Sequence, residues 1–118
     1  MNAQKIQTEI QQRYSTEIEY PWARFPEYSV FRHAHHRKWF TILMSVPACK
    51  IGLNSTEKIW VLNVKAKSKE IGSLRMMKGV YPAYHMNKEH WLSLHLGEID
   101  ESLLWELVGE SFYLTFKK

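Results

Sequence analysis

Apolar positions recur along the chain with two periods, and the switches between those periods mark the elements. Ile6, Ile10 and Tyr14 fall at i, i+4 and i+8, one face of a helix that Asn2 is placed to cap. That helix fades near Tyr14–Ser15, because Pro21 and Pro26 punctuate the next segment. Two runs beyond it read as strands, Tyr28–His33 and then Lys38–Val46, which Pro47 ends. The polar stretch Ala34–Arg37 between them predicts a hairpin turn. Lys58–Val64 is apolar on both faces through Ile59, Trp60, Val61, Leu62 and Val64, which predicts a central strand. Three strands joined by short connections favour antiparallel pairing.

Further on, Ser68 is placed as the N-cap of a helix holding Ile71 and Leu74 and ending near Lys78–Gly79. Val80–Asn87, with Pro82 inside it, reads as irregular. In His90–Leu96 the residues Leu92, Leu94 and Leu96 lie on one face and Trp91, Ser93 and His95 on the other. Gly97 breaks that strand. Asp100 is placed to cap a last helix with an inner stripe of Leu103, Leu104, Leu107, Val108 and Phe112. The order of helix, three strands, helix, strand, helix predicts a compact α+β domain. Its antiparallel sheet has four to six strands, and helices near residues 2–14, 68–78 and 100–116 pack against it. Leu103, Leu107 and Phe112 are expected to be buried against strand residues such as Leu62 and Leu94, and Trp91 to be largely buried.

Composition sharpens this reading. A chain of 118 residues and 14.1 kDa, 45% hydrophobic, is expected to form one domain with one core. A single cysteine, Cys49, excludes an internal disulfide and a Cys-based zinc cluster. Residues 1–12 are polar and lack the apolar stretch of a secretory signal, and Trp39–Val46 is too short to span a bilayer. A soluble cytoplasmic protein without membrane attachment is expected. The net charge of +4 is uneven: Arg24 to His90 carries twelve basic and four acidic residues, 12 − 4 = +8, between mildly acidic ends. A basic middle suits a polyanion-facing surface, or lysines and arginines guarding strand edges.

Candidate catalytic chemistry is sparse. His33, His35 and His36 invite a metal reading, since imidazoles at i and i+2 share one face of a strand. However, Arg32, Arg37 and Lys38 surround them and the one nearby carboxylate is Glu27, so a polar hairpin turn is the better reading and no metal or cofactor is expected. Cys49 has no obvious partner, the sequence has no Gly-x-Ser-x-Gly elbow or Gly-rich phosphate loop, and Glu98, Asp100 and Glu101 fit helix capping. The chain is read as a non-enzyme. The segment Tyr84-His85-Met86-Asn87-Lys88-Glu89-His90-Trp91 stands apart: it is either a capped turn locking a strand's entry, or a polar platform where His85, Asn87 and Lys88 meet a ligand or phosphate.

Pro82-Ala83-Tyr84-His85-Met86-Asn87-Lys88-Glu89-His90-Trp91 resembles the signature of the MmcQ/YjbR family. Glu110-Ser111-Phe112-Tyr113-Leu114 is similar to that family's final Ser-Tyr helix, with Phe112 intervening. Tyr20-Pro21-Trp22, Val30-Phe31-Arg32-His33, Lys38-Trp39-Phe40 and Val61-Leu62-Asn63-Val64-Lys65 resemble its opening and third strand, so the likeness runs from about residue 20 to 118. It implies a CyaY/frataxin-like fold, a twisted antiparallel sheet with helices on one face. It also implies a proposed double-wing DNA-binding role, and points to Arg32, Lys38, Lys65, His85, Asn87, Lys88 and Trp91 as matched positions.

Three functions stand as expectations. The first is a DNA-binding module using Arg32, Arg37, Lys38, Lys65, Lys67, Lys69, His85, Asn87 and Lys88; the alternating lysines share a face if their strand extends. Its phosphate contacts would be salt-dependent and largely blind to sequence. A frataxin-like iron binder is disfavoured, because the first helix offers only Glu9 and hard cations need several carboxylates. The third is a small-molecule or protein-binding domain using an aromatic surface near Trp22, Trp39, Tyr84 and Trp91.

Overall fold

The computed structural model describes residues 1–117. Helix α1 (Ala3–Tyr14) starts where Asn2 Oδ1 accepts the amides of Gln4 and Lys5 at 2.8 and 3.3 Å. Ser15, at φ 50°, ends it in the left-handed region. Six antiparallel strands come next: β1 (Ile18–Glu19), β2 (Ser29–Arg32), β3 (Trp39–Pro47), β4 (Lys58–Lys65), β5 (Val80–Pro82) and β6 (Trp91–His95), side by side in the order β1-β2-β3-β4-β6-β5. Helix α2 (Ser68–Leu74) lies between β4 and β5, and α3 (Glu101–Phe116) closes the chain with Asp100 Oδ2 accepting the Leu103 amide. Among the described residues, no helix is long and apolar enough to cross a membrane. The α+β class, the antiparallel sheet and its helical cover agree with the sequence reading.

The pleat divides the side chains between two faces. On one, Leu43, Leu62, Val64, Leu92 and Leu94 pack against Ile6 and Ile10 of α1 and Leu104, Leu107 and Val108 of α3. The other carries a second apolar layer of Val30, Ile42, Met44, Val46 and Val61, covered by loop residues such as Trp22, Tyr84 and Met86. Strand β4 sits between β3 and β6, as its two apolar faces require.

Several expectations change. Edge strands β1 and β5 add to the expected elements, and β5 contains Pro82, tolerated at the end of an edge strand where no ladder donor is needed. Helix α2 ends at Leu74, short of Lys78, and its N-cap is Lys67 rather than Ser68, with no side-chain cap. Leu107 is buried, whereas Leu103, Phe112 and Trp91 are only half-buried.

One irregularity sets which residues face which way. Phe31 pairs with Thr41, but the next residue, Arg32, pairs with Trp39, leaving Phe40 as an extra residue in a β-bulge. Uninterrupted alternation would put Phe40 beside Ile42 and Met44 and turn Trp39 toward the helices. The bulge reverses both. Phe40 enters the core edge-on to Tyr14 and Phe112, at 5.4 and 5.0 Å between ring centres, and Trp39 joins the open face. The β3–β4 ladder runs to Thr41 and Val64, so the Phe40 carbonyl and Lys65 amide would be the next facing groups. Ser111 of α3, fully buried, bridges them: its hydroxyl donates to Phe40 O at 2.5 Å and accepts from Lys65 N at 2.8 Å.

Replacing Ser111 by Ala strands both backbone groups in a dry site, each costing about 1–3 kcal/mol. Ser111→Ala is therefore expected to lower the unfolding free energy by about 2–4 kcal/mol in urea denaturation. Ser102→Ala, at an exposed site on the same helix, is expected to change it by less than about 0.5 kcal/mol.

Candidate functional site

The open face holds a cavity of about 360 Å³. Ile42, Met44 and Asn63 of the sheet line it together with Trp22, Phe25, Tyr28 and Trp39 and with Tyr84, His85 and Met86, Tyr84 lying beside Tyr28. The aromatic side is a packed array: Trp22 meets Trp39 edge-to-face at 5.6 Å and 76°, and Phe25 stacks on Tyr28 at 4.7 Å. Burial, reinforced by Tyr84 and Glu27, raises the Tyr28 hydroxyl above its ordinary pKa and keeps it neutral. The Tyr84 segment of the rim is tied to the sheet by buried polar groups. Asn63 Nδ2 donates to Tyr84 O at 2.9 Å, Ser93 Oγ donates to Asn63 Oδ1 at 2.5 Å, and Tyr84 N donates to Ser93 Oγ at 2.9 Å. His85 takes a left-handed φ of 62° and lies on Tyr84, with ring centres 3.9 Å apart.

Beside the cavity runs a cross-strand row. Register places Arg32 next to Trp39, and Lys65 opposite Trp91, on this same face. The Arg32 guanidinium lies over the Trp39 ring at 5.3 Å. With Arg37 and Lys38 these residues line a shallow groove, which shares the Trp39 wall with the cavity. Glu19 serves both arginines, its Oε2 lying 3.0 Å from Arg32 Nε and 2.5 Å from Arg37 Nη2. The Arg32 contact is misaligned, leaving that buried Nε–H without a hydrogen bond. Lys38 Nζ donates to the Lys117 carbonyl at 3.3 Å, and Lys65 makes no ion pair among the described residues.

The structure therefore unites Arg32, Arg37, Lys38 and Lys65, with Trp91 in their row rather than in the cavity. Lys65, Lys67 and Lys69 do not share a strand face as expected. The strand ends at Lys65 and α2 begins at Ser68, so Lys67 caps that helix and Lys69 lies on it. They still line one depression with His90, and Lys67 reaches Glu110 at 3.8 Å and Glu70 at 4.0 Å. His85 belongs to the cavity. Asn87 locks a turn, its Oδ1 accepting Glu89 N at 2.7 Å and its carbonyl accepting Trp91 N at 2.9 Å. Lys88 lies in a separate groove beside α2, where its carbonyl accepts from Arg75. The polar-platform reading is thus dispersed. Sequence reasoning missed Phe25, Tyr28, Ile42, Met44, Asn63 and Met86; the signal available was Asn63, a polar residue in an otherwise apolar central strand.

The histidines form more than a polar turn. His33 is buried against Phe40 and Phe112, with Nε2 2.7 Å from Thr115 Oγ1. Because that hydroxyl donates to Ser111 O at 2.7 Å, it accepts from the imidazole, which is neutral and protonated on Nε2. His33 Nδ1 is buried without a partner. Burial, then the charges of His36, His35 and Lys38, lower the His33 pKa to about 4. His35 and His36 direct Nε2 at the Phe116 carbonyl, 3.2 and 2.6 Å away, closing the C-terminal end of α3.

These features define the class: a six-stranded antiparallel sheet, helices on one face, an aromatic cavity and cationic row on the other. The chain belongs to the YjbR family, whose model matches residues 12–114. It is 36% identical over 107 residues to uncharacterised protein YyaQ of Bacillus subtilis, covering 90% of this chain and 91% of that one. Uncharacterised protein YbdF of Escherichia coli O157:H7 is 32% identical over 102 residues, 83% of this chain and 72% of its own. A Pseudomonas syringae crystal structure superposes with a TM-score of 0.94 at 42% identity, covering 98% of this chain and 99% of that one. A Deinococcus radiodurans structure with the DUF419 domain shares the fold at a TM-score of 0.66 and 20% identity, over 94% and 78% of the two chains.

The lowered His33 pKa gives acid sensitivity a definite window. The unfolded imidazole binds a proton below about pH 6.5 and the folded one only near pH 4, so stability is full above 6.5 and is lost as pH falls toward 4. Between pH 7.5 and 5 this one group is expected to remove about 2 kcal/mol of unfolding free energy. Urea titrations of wild type and His33→Gln at both pH values check it, the variant showing a correspondingly smaller drop.

Proposed function

We propose that the protein is a cytoplasmic, non-enzymatic binding module that holds an organic ligand in the aromatic cavity of its open sheet face. The observation that carries this reading is the cavity itself: about 360 Å³, walled by edge-to-face aromatics, with a rim pinned to the sheet by buried hydrogen bonds. Ligand pockets of about 300–1,000 Å³ with mostly apolar linings enclose molecules of this kind. Rigid aromatic walls supply contact area without ordering many rotors. Its titratable lining residues, Tyr28, Tyr84 and His85, include no carboxylate or thiol, which favours binding over catalysis.

DNA binding is the second reading, favoured by the continuity of Arg32, Arg37, Lys38, Lys65, Lys67 and Lys69 along one edge. Glu19, Glu70 and Glu110 compensate three of these six, leaving Lys38, Lys65 and Lys69 as the principal phosphate contacts. Three contacts support weak binding with a log–log salt slope of about −2.7.

In a thermal-shift screen of planar organic compounds, a ligand present at about a hundred times its Kd is expected to stabilise the wild type by about 2.7 kcal/mol. The shift is expected to shrink or vanish in Trp22→Ala. Fluorescence anisotropy on random duplex DNA across salt concentrations separates the second reading. Binding that follows the predicted slope, and is lost when Lys38, Lys65 and Lys69 are replaced together by Ala, would put DNA first.

A further inference from the structure

The cationic row and the cavity are parts of one surface, and their adjacency restricts the ligand. Lys65 lies two residues beyond Asn63 on the same face of β4, so its side chain emerges about 7 Å from the cavity floor. Trp39 is a wall of both depressions. Among the described residues, Arg32, Arg37, Lys38 and Lys65 at the row are answered by one carboxylate, that of Glu19 beside the two arginines, an excess of three positive charges. None of the residues lining cavity or row is Asp or Glu.

Resting on the small-molecule reading, we infer that the ligand is an aromatic oxyanion. Its planar body lies in the cavity, and its carboxylate, sulfonate or phosphate ester is held at the Arg32–Trp39–Lys65 edge. Gathering like charges is unfavourable unless something answers them, as Glu27 answers Lys58 and as Glu70 and Glu110 answer Lys67. At the row the compensation is incomplete. Exposed Lys38 and half-buried Lys65 line the groove without a carboxylate partner among the described residues, and an oxyanion there makes charge-assisted contacts with them. Lys65 is positioned from below, because its amide is fixed by Ser111 and its strand neighbour is Trp91. An aromatic cation would meet the same cavity walls but be repelled at their edge.

A matched pair of fluorescent probes tests this: anilinonaphthalene sulfonate and its uncharged parent, N-phenyl-naphthylamine. The sulfonate is expected to bind one per chain, and more tightly than the parent. Lys65→Gln and Lys38→Gln are each expected to weaken the sulfonate by about threefold to tenfold without changing the parent, and added salt to narrow the preference. Trp22→Ala and Met86→Ala are expected to weaken both probes. Equal affinities, or a sulfonate preference that survives both lysine variants, would overturn the oxyanion assignment while leaving the cavity standing. If instead the sulfonate responded to the lysines but neither probe responded to Trp22→Ala and Met86→Ala, the cavity reading would fail and a surface anion site would remain. Absence of binding by both probes would overturn both.

Discussion

A serine hydroxyl on the last helix holds the sheet in the one arrangement that gives it two differently built faces. The β-bulge at Trp39–Phe40 interrupts the ladder, and without a substitute partner the Phe40 carbonyl and Lys65 amide would be buried and unpaired. Ser111 closes that gap from α3 with two short hydrogen bonds. The same contact seats α3 on the sheet beside Tyr14, Phe40 and Phe112. Thr115, one turn further on, donates back to Ser111 and receives His33, so bulge, hairpin turn and helix end form one buried polar network inside an aromatic shell. Such a network specifies geometry because few other arrangements would satisfy its members.

The bulge also divides aromatic residues between the two faces. Phe40 and Phe112 serve the helix-covered core, whereas Trp22, Trp39 and Tyr84 stand on the other face around the cavity. Moving Trp39 from one face to the other requires one extra residue, and that residue brings Phe40 inward at the same stroke. The helix-covered core and the cavity thereby lie on opposite sides of one sheet.

Family membership and close structural likeness agree with this architecture. The Pseudomonas syringae protein shares nearly the whole chain path, and the more distant Deinococcus radiodurans structure shows that the fold persists at 20% identity. One fold supports many functions, so what a member binds depends on its site rather than on its chain path. Here the candidate site is a cavity and a row of charges that meet at Trp39.

The sequence by itself determined what local periodicity and capping control. These are the amphipathic helices begun by Asn2 and Asp100, the two-faced central strand at Lys58–Lys65, the alternation of Leu92 and Leu94 against Trp91 and Ser93, and the α+β order of elements. It did not reveal the edge strands β1 and β5, because two or three residues carry no period and Pro82 argues against pairing until a partner strand is present. The site was legible only in part. Arg32, Lys38, Lys65, Trp22, Trp39 and Tyr84 were marked by residue type, but their grouping depends on contacts between residues far apart in the chain. Strict alternation along β3 places Trp39 on the wrong face, since a bulge is settled by the partner strand and by Ser111, 71 residues away from Phe40. Likewise the lysines of 65–69 look like one strand face until the chain turns into α2. His33 looks like part of a polar turn until Thr115 and Phe112 close over it. Local propensity acts over a few residues; which side chains share a surface is decided by which strands and helices meet, and that belongs to the tertiary structure.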